Sequence, residues 1–119
     1  MLALVLSLAF GIPSQNILIF PVATSTVEYS TTTVKQMAID TARRHGLDEK
    51  RFVETVRCES GFHFDAVGDK GTSIGVAQLH YPSRDWGIST STAYDPAASL
   101  EIMADAWDAG MMNKWSCYK

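Results

Sequence analysis

The chain has 119 residues, of which 46% are hydrophobic and 19% are charged, and its formal net charge is −3 at pH 7. This length predicts one domain, which on folding would bury only about 60 to 68% of the surface of the unfolded chain. The net negative charge argues against nucleic-acid binding, which needs a basic patch. The three histidines lie too far apart in sequence for a recognisable zinc motif, and no cofactor motif is present, so we expect neither a metal nor a cofactor.

The N-terminal segment differs in composition from the rest of the chain, because residues 1–27 contain no charged side chain. Its first apolar run, residues 2–10, has the length of the hydrophobic region of a signal peptide, although no Lys or Arg precedes it. We therefore predict an export signal over residues 1–23, with a retained membrane anchor or packed structure as alternatives. Export would place the protein in the periplasm or outside the cell, and an anchor would attach it to the membrane.

A polar linker is predicted next, because residues 24–33 are rich in Ser and Thr and show no helical apolar period. The folded domain is then expected over residues 34–119, as a monomer. Thr33 and Gln36 form a candidate capping box at its start. The helix that they begin is expected to end at Gly46, which suits the left-handed conformation of a helix C-terminus.

Most of the remaining elements are predicted to be helices. Asp48 is expected to cap a second helix that continues to about Ser60. Residues 73–79 are expected to form a short helix or an extended turn, which Pro82 interrupts. Residues 95–96 are Asp and Pro, a pair that predicts the cap and first position of a third long helix. The fold class is therefore predicted to be mainly α.

The two cysteines of the chain, Cys58 and Cys117, permit a single disulfide. Such a bridge would stabilise a small domain by roughly 4 kcal/mol in the chain-entropy model. It would also bring the C-terminal tail beside the end of the second helix. The alternative is a pair of buried free thiols in a cytosolic protein.

The stretch from Arg57 to Leu79 has the features of a lined cleft. Glu59 follows Phe52 and Val56 at helical spacing, so its carboxyl group would lie along the apolar face of the second helix. A Gly-rich loop follows directly and ends in an apolar run that is interrupted only by Gln78. These features predict a cleft with one carboxyl group at a helix end.

This stretch resembles the signature of the lysozyme-like lytic transglycosylases, a family that cleaves bacterial peptidoglycan. The resemblance is carried by Glu-Ser-Gly-Phe at residues 59–62, Ala66, Gly-Val-Ala-Gln-Leu at residues 75–79 and Tyr-Asp-Pro at residues 94–96. It extends over roughly residues 34–107. It implies a small lysozyme-like helical domain in which the Gly-rich loop flanks the active-site cleft.

The resemblance implies that Glu59 is the catalytic residue, and that it cleaves the β-1,4 bond between N-acetylmuramic acid and N-acetylglucosamine. Breaking this bond requires a proton on the departing oxygen, and a carboxyl group on an apolar face can supply it because burial disfavours the charged form. The resulting carboxylate would take a proton from the muramoyl C6 hydroxyl. The expected product is therefore 1,6-anhydro-muramic acid, and the expected partner is the glycan strand of peptidoglycan.

Four further residues are candidates for substrate binding. By resemblance Gln78 lines the sugar groove and Tyr94 borders it, with a backbone-bonded amide and a core tyrosine as the respective alternatives. Ser60 is a candidate whose alternative role is a helix-end cap. Gly75 most simply permits a close backbone approach. Among the tryptophans, Trp86 lies in a predicted loop and is the best candidate for stacking on a sugar ring.

Two other functions remain open at this point. A hydrolytic lysozyme would need a second carboxylate to position water, and Asp69 in the Gly-rich loop is the candidate. A catalytically inert peptidoglycan-binding or assembly module is the other alternative, because the family's Ala-Tyr-Asn-Ala-Gly motif is absent from this chain.

Overall fold

A computed structural model describes residues 27–119 of the chain. The predicted signal or anchor over residues 1–23 lies outside the described residues, as do residues 24–26 of the predicted linker. The rest of the predicted linker is described, and the prediction is wrong for residues 31–33, which are helical. Within the described part, no helix is both long enough and apolar enough to cross a membrane.

The first helix, α1, spans Thr31–His45 and begins earlier than predicted. Its N-cap is Ser30, whose side chain accepts a hydrogen bond from the backbone N–H of Thr33 at 3.1 Å. The predicted cap, Thr33, is therefore already in the first turn, because an upstream hydroxyl takes the capping role. The predicted end is confirmed, since Gly46 adopts the left-handed conformation with φ of 66°.

The second helix, α2, spans Glu49–Ser60 and agrees with the prediction. The Asp48 side chain accepts a hydrogen bond from the backbone N–H of Arg51 at 3.1 Å, which satisfies one of the free donors at the helix start. Phe52 and Val56 are fully buried, as the apolar spacing required. The helix therefore presents its last turn, which contains Glu59, at the edge of the core.

A small antiparallel sheet follows, with strands β1 at Val67–Gly68, β2 at Ser73–Ile74 and β3 at Leu79–His80 in the order β1-β2-β3. A 3-10 turn at Asp69–Gly71 connects β1 to β2. The helix considered for residues 73–79 is therefore wrong, because both ends of this segment are strands that pair with each other. Pairing places Ser73 directly opposite His80.

Three helices complete the domain, α3 at Pro82–Trp86, α4 at Thr90–Tyr94 and α5 at Pro96–Asp108, and a 3-10 turn follows at Met112–Lys114. Pro82 begins α3 instead of only interrupting the chain, because its fixed φ suits a first helical position. The Asp95 prediction is confirmed, since its carboxylate accepts a hydrogen bond from the backbone N–H of Ala98 at 3.0 Å.

The core lies between α1, α2, α5 and the sheet. Phe52 of α2 contacts Trp107 of α5 edge to face, with ring centroids 5.1 Å apart. Leu100 and Met103 of α5 are also fully buried. Leu79 of β3 is fully buried on the sheet side of the core. The predicted mainly helical fold is thus confirmed, with a small sheet added that the sequence pattern did not indicate.

An ion-pair network joins the end of α1 to α5. His45 Nδ1 lies 2.5 Å from Asp108 Oδ2, and His45 Nε2 lies 2.8 Å from Glu101 Oε2. Arg44 also pairs with Glu101, at 2.7 Å, and Asp105 lies 4.0 Å from the His45 ring. The hydrogen bonds to Asp108 and Glu101 raise the pKa of the His45 imidazole above its ordinary value of 6.5.

This network predicts a loss of stability at alkaline pH. Because the pKa of His45 is raised on folding, its contribution to stability is complete below pH 6.5 and is lost as the pH rises through the raised value. His45→Asn should therefore lower the free energy of unfolding by about 1 kcal/mol at mildly acidic pH and by less at alkaline pH, since the carboxylate partners are partly exposed. Urea unfolding of both proteins across this range measures the difference. If the difference in the free energy of unfolding between the two proteins did not change with pH, the role of His45 would be contradicted.

Candidate active site

A cleft of about 700 Å³ lies where the end of α2, the sheet and the C-terminal tail meet. Glu59, the second-last residue of α2, reaches into it from the helix side. The sheet side contributes Asp69, Gln78 and other polar residues, and the tail contributes Lys114, Trp115 and Ser116. The structure therefore brings together Glu59, Gln78 and Asp69, three of the residues that the sequence singled out.

Glu59 is held by the C-terminal tail. Its side chain is half-buried, and its Oε2 accepts a hydrogen bond from the backbone N–H of Cys117 at 3.1 Å. Cys117 is bonded to Cys58, the residue directly before Glu59, so the predicted disulfide is confirmed. This bridge is compatible with an oxidising compartment. It fixes the tail at the position from which Cys117 donates to the carboxylate.

Trp115 anchors the same tail under the sheet. It is 4% exposed, and its Nε1–H donates to the carbonyl oxygen of Ala77 at 2.7 Å. Its ring also contacts Trp86 at a centroid distance of 5.9 Å. Because Trp115 is fixed on both sides, its neighbours Lys114 and Ser116 form a defined wall of the cleft.

The sheet side of the cleft carries a group of hydrogen-bonded side chains. Ser73 Oγ lies 2.5 Å from Asp69 Oδ2 and 3.0 Å from His80 Nδ1. All three residues line the same cleft as Glu59. The side-chain oxygen of Asp69 that accepts from Ser73 is therefore occupied by a protein donor.

The backbone around the cleft is strained. Asp69, Lys70, Gln78 and Tyr81 have φ values of 51°, 58°, 49° and 47°, in the left-handed region that non-glycine residues rarely adopt. Each such residue costs about 1 to 3 kcal/mol unless its surroundings compensate, and such residues concentrate at functional sites. All four line this cleft. The strain therefore supports the cleft as the functional site, independently of any motif.

Gln78 is oriented by the backbone below it. Its side-chain amide donates to the carbonyl oxygens of Ala66 at 3.2 Å and Gly75 at 3.0 Å. Both amide hydrogens are thus used within the protein. The side chain can offer its Oε1 as an acceptor to a sugar hydroxyl or an acetamido N–H.

The other three substrate-binding candidates lie outside this lining. Ser60 is buried, and its hydroxyl donates to the Val56 carbonyl and accepts from the Phe62 N–H, so it shapes the end of α2. Gly75 is buried against Ala93 of α4, and a Cβ at this position would collide with the Ala93 carbonyl oxygen. The close approach predicted for Gly75 is therefore confirmed.

Tyr94, the last of these candidates, ends α4 and is half-buried against the core. It does not contribute to the wall of the cleft that Glu59 enters. Its predicted position at the border of the sugar groove stays a prediction.

A smaller groove of about 170 Å³ continues from the cleft. It shares Gln78, Lys114 and Trp115 with the cleft and adds Trp86. Lys114 Nζ lies 5.8 Å from the centroid of the Trp86 ring. Trp86 is thus at a place where it could contact a sugar that extends from the cleft. Its predicted loop position is wrong, because Trp86 is the last residue of α3.

Several lining residues were missed by sequence reasoning, above all His80, Lys70 and the tail residues Lys114 and Ser116. His80 was considered only as a zinc ligand. A polar residue two positions after Gln78 is the one local signal that could have indicated it.

Among residues 27–119, one group of metal-ligand type has its atoms within 4.8 Å of one another, and it consists of His45, Glu101 and Asp105. Both His45 nitrogens lie within hydrogen-bond distance of carboxylates. A protonated imidazole donates from both nitrogens and has no lone pair for a metal. The raised pKa of His45 therefore favours an ion-pair role.

Comparison with models of protein families, with curated proteins and with solved structures gives no match to this chain. Its function must therefore be argued from the cleft itself and from the motif resemblance.

Proposed function

We propose that the protein is a small lysozyme-like domain that cleaves the β-1,4 bond between N-acetylmuramic acid and N-acetylglucosamine in peptidoglycan as a lytic transglycosylase. The observation that carries the proposal is the position of Glu59, a half-buried carboxyl group in a polar cleft with Gln78 and Asp69. Strained backbone on the sheet side and a bridged tail on the other side support a preorganised site. The disulfide fits an exported enzyme that acts at the cell wall.

In this proposal Glu59 donates a proton to the glycosidic oxygen as the bond breaks. The Cys117 N–H keeps the carboxyl group in a fixed direction during the transfer. The C6 hydroxyl of the muramoyl residue then attacks the anomeric carbon of that same sugar. Because this nucleophile is intramolecular, it has a large effective concentration compared with water.

A hydrolytic lysozyme is the second candidate, and the observation that favours it is the presence of Asp69 in the same cleft as Glu59. The hydrogen bond from Ser73 occupies Asp69 Oδ2, so Oδ1 is the oxygen that would position water in a hydrolase. An inert binding module is disfavoured by Glu59 together with Gln78, because binding alone does not need a half-buried carboxyl group in the cleft.

The products of digestion distinguish these functions. We expect purified peptidoglycan to yield muropeptides that end in 1,6-anhydro-muramic acid, each lighter by one water than the hydrolysed product. Mass spectrometry after digestion in water labelled with heavy oxygen measures the outcome. Reducing ends that carry the label would establish the hydrolase, and unchanged peptidoglycan would establish the inert module.

A further inference from the structure

The pairing of β2 with β3 places Ser73 opposite His80 on the sheet side of the cleft that Glu59 also lines. Asp69, from the turn before β2, accepts the Ser73 hydroxyl. His80 has 48% of its side chain exposed, so its ring is open to a molecule in the cleft. These three side chains therefore form one connected group beside the proposed acid.

The hydrogen-bond donors of this group fix the tautomer of His80. A carboxylate only accepts, so the single hydroxyl proton of Ser73 is donated to Asp69. The hydroxyl of Thr72, which lies 3.3 Å from His80 Nδ1, donates its own proton to the Asp69 carbonyl oxygen at 2.8 Å. Both hydroxyls thus offer only lone pairs to Nδ1, and Nδ1 must carry the hydrogen.

In the neutral ring the lone pair is then on Nε2. Within residues 27–119 no protein group lies within hydrogen-bond distance of this nitrogen. Ser73 and Thr72 therefore hold the ring by Nδ1 and leave Nε2 open, which is the arrangement that a general base requires.

We propose that His80 is the general base of the reaction, with Ser73 and Asp69 as positioning residues; this inference rests on the proposed function. His80 Nε2 takes the proton of the C6 hydroxyl, the C6 oxygen bonds to the anomeric carbon, and the glycosidic C–O bond breaks. Its electron pair goes to the departing oxygen, which takes the proton of Glu59. The step leaves an imidazolium and a carboxylate, and proton exchange with solvent restores both.

A separate base removes a constraint on the mechanism in which Glu59 is both the acid and the base. Glu59 cannot accept a proton until it has donated its own, so alone it cannot assist attack and departure in the same step. Two separate groups that line the same cleft, Glu59 and His80, can act together. Ser73, which links Asp69 to His80, is only 2% exposed, so its hydroxyl is held in place by the surrounding sheet.

Chemical rescue tests the proposal on the full chain. We expect His80→Ala to reduce the rate of peptidoglycan digestion about 100-fold. Added imidazole should then raise the rate of this variant about tenfold. His63→Ala is the matched control, because His63 is exposed and does not line the cleft, and it should keep the wild-type rate. Imidazole should not restore Glu59→Gln. A His80→Ala rate close to wild type, or a loss that imidazole does not restore, would overturn the base role.

A second measurement does not depend on activity. Two-bond nitrogen-proton NMR spectra of protein with labelled histidine should show the Nδ1–H tautomer for neutral His80, and Ser73→Ala should weaken this preference. The Nε2–H tautomer in the wild-type protein would overturn the proposal. An inactive wild-type protein with the Nδ1–H tautomer would instead refute the proposed function, so the two failures are distinguishable.

Discussion

Glu59→Gln is expected to reduce peptidoglycan digestion by about 100-fold to 10,000-fold, the range typical of a lost general acid. The amide has the volume of the carboxyl group but cannot donate its proton to the glycosidic oxygen. Its oxygen can still accept the hydrogen bond from the Cys117 N–H, so the fold should be preserved. Turbidity loss of purified cell walls measures the activity, and circular dichroism measures the fold.

Glu54→Gln is the matched control on the same helix. Glu54 pairs with Arg57 at 2.9 Å on the exposed side of α2 and does not line the cleft. The loss of this exposed, solvent-screened pair should change stability little and leave digestion near the wild-type rate. If Glu59→Gln retained more than about a tenth of wild-type activity with an unchanged spectrum, general acid catalysis by Glu59 would be excluded.

Removal of the disulfide is expected to have the second largest effect. The double variant Cys58→Ser, Cys117→Ser should lose about 4 kcal/mol of unfolding free energy in the chain-entropy model, because the bridge closes a loop of 59 residues. Even where the variant is folded, activity should fall by about tenfold or more, since the tail that donates to Glu59 is no longer fixed. Urea unfolding and wall digestion at low temperature measure the two effects separately.

Reversible reduction of the wild-type protein provides the control, because it changes no residue. A dithiol should lower the activity, and reoxidation by a small disulfide compound should restore it. Equal activity of the reduced and oxidised protein would show that Trp115 and its bond to Ala77 hold the tail without the bridge.

Local signals made the three long helices predictable, whereas the short helices α3 and α4 were not predicted. A short polar side chain before a helix satisfies its free N–H groups without help from the rest of the fold, so Asp48 and Asp95 could be recognised in the sequence. The same rule produced the error at α1, where two hydroxyls, Ser30 and Thr33, compete three residues apart. Sequence pattern alone does not decide which hydroxyl faces the free donors.

The sheet could not be predicted, and most of the site depends on it. Each strand has two residues, too few for an alternating pattern to develop. Glu59 and Gln78 were identified by helical spacing and by motif. His80 became a candidate only when strand pairing placed it opposite Ser73, which is a nonlocal fact.

The position of the tail has a consequence for biosynthesis. Residues 114–116 form a wall of the cleft, and Cys117 completes both the bridge and the hydrogen bond to Glu59. A ribosome makes α2 and the sheet well before it reaches this tail. Glu59 and the sheet side of the cleft therefore precede the tail in synthesis, and the cleft lacks one wall until Cys117 has emerged and bonded to Cys58. The site is complete only when two residues separated by 59 positions have joined, and a translation product truncated before residue 114 would carry Glu59 without the wall that holds it.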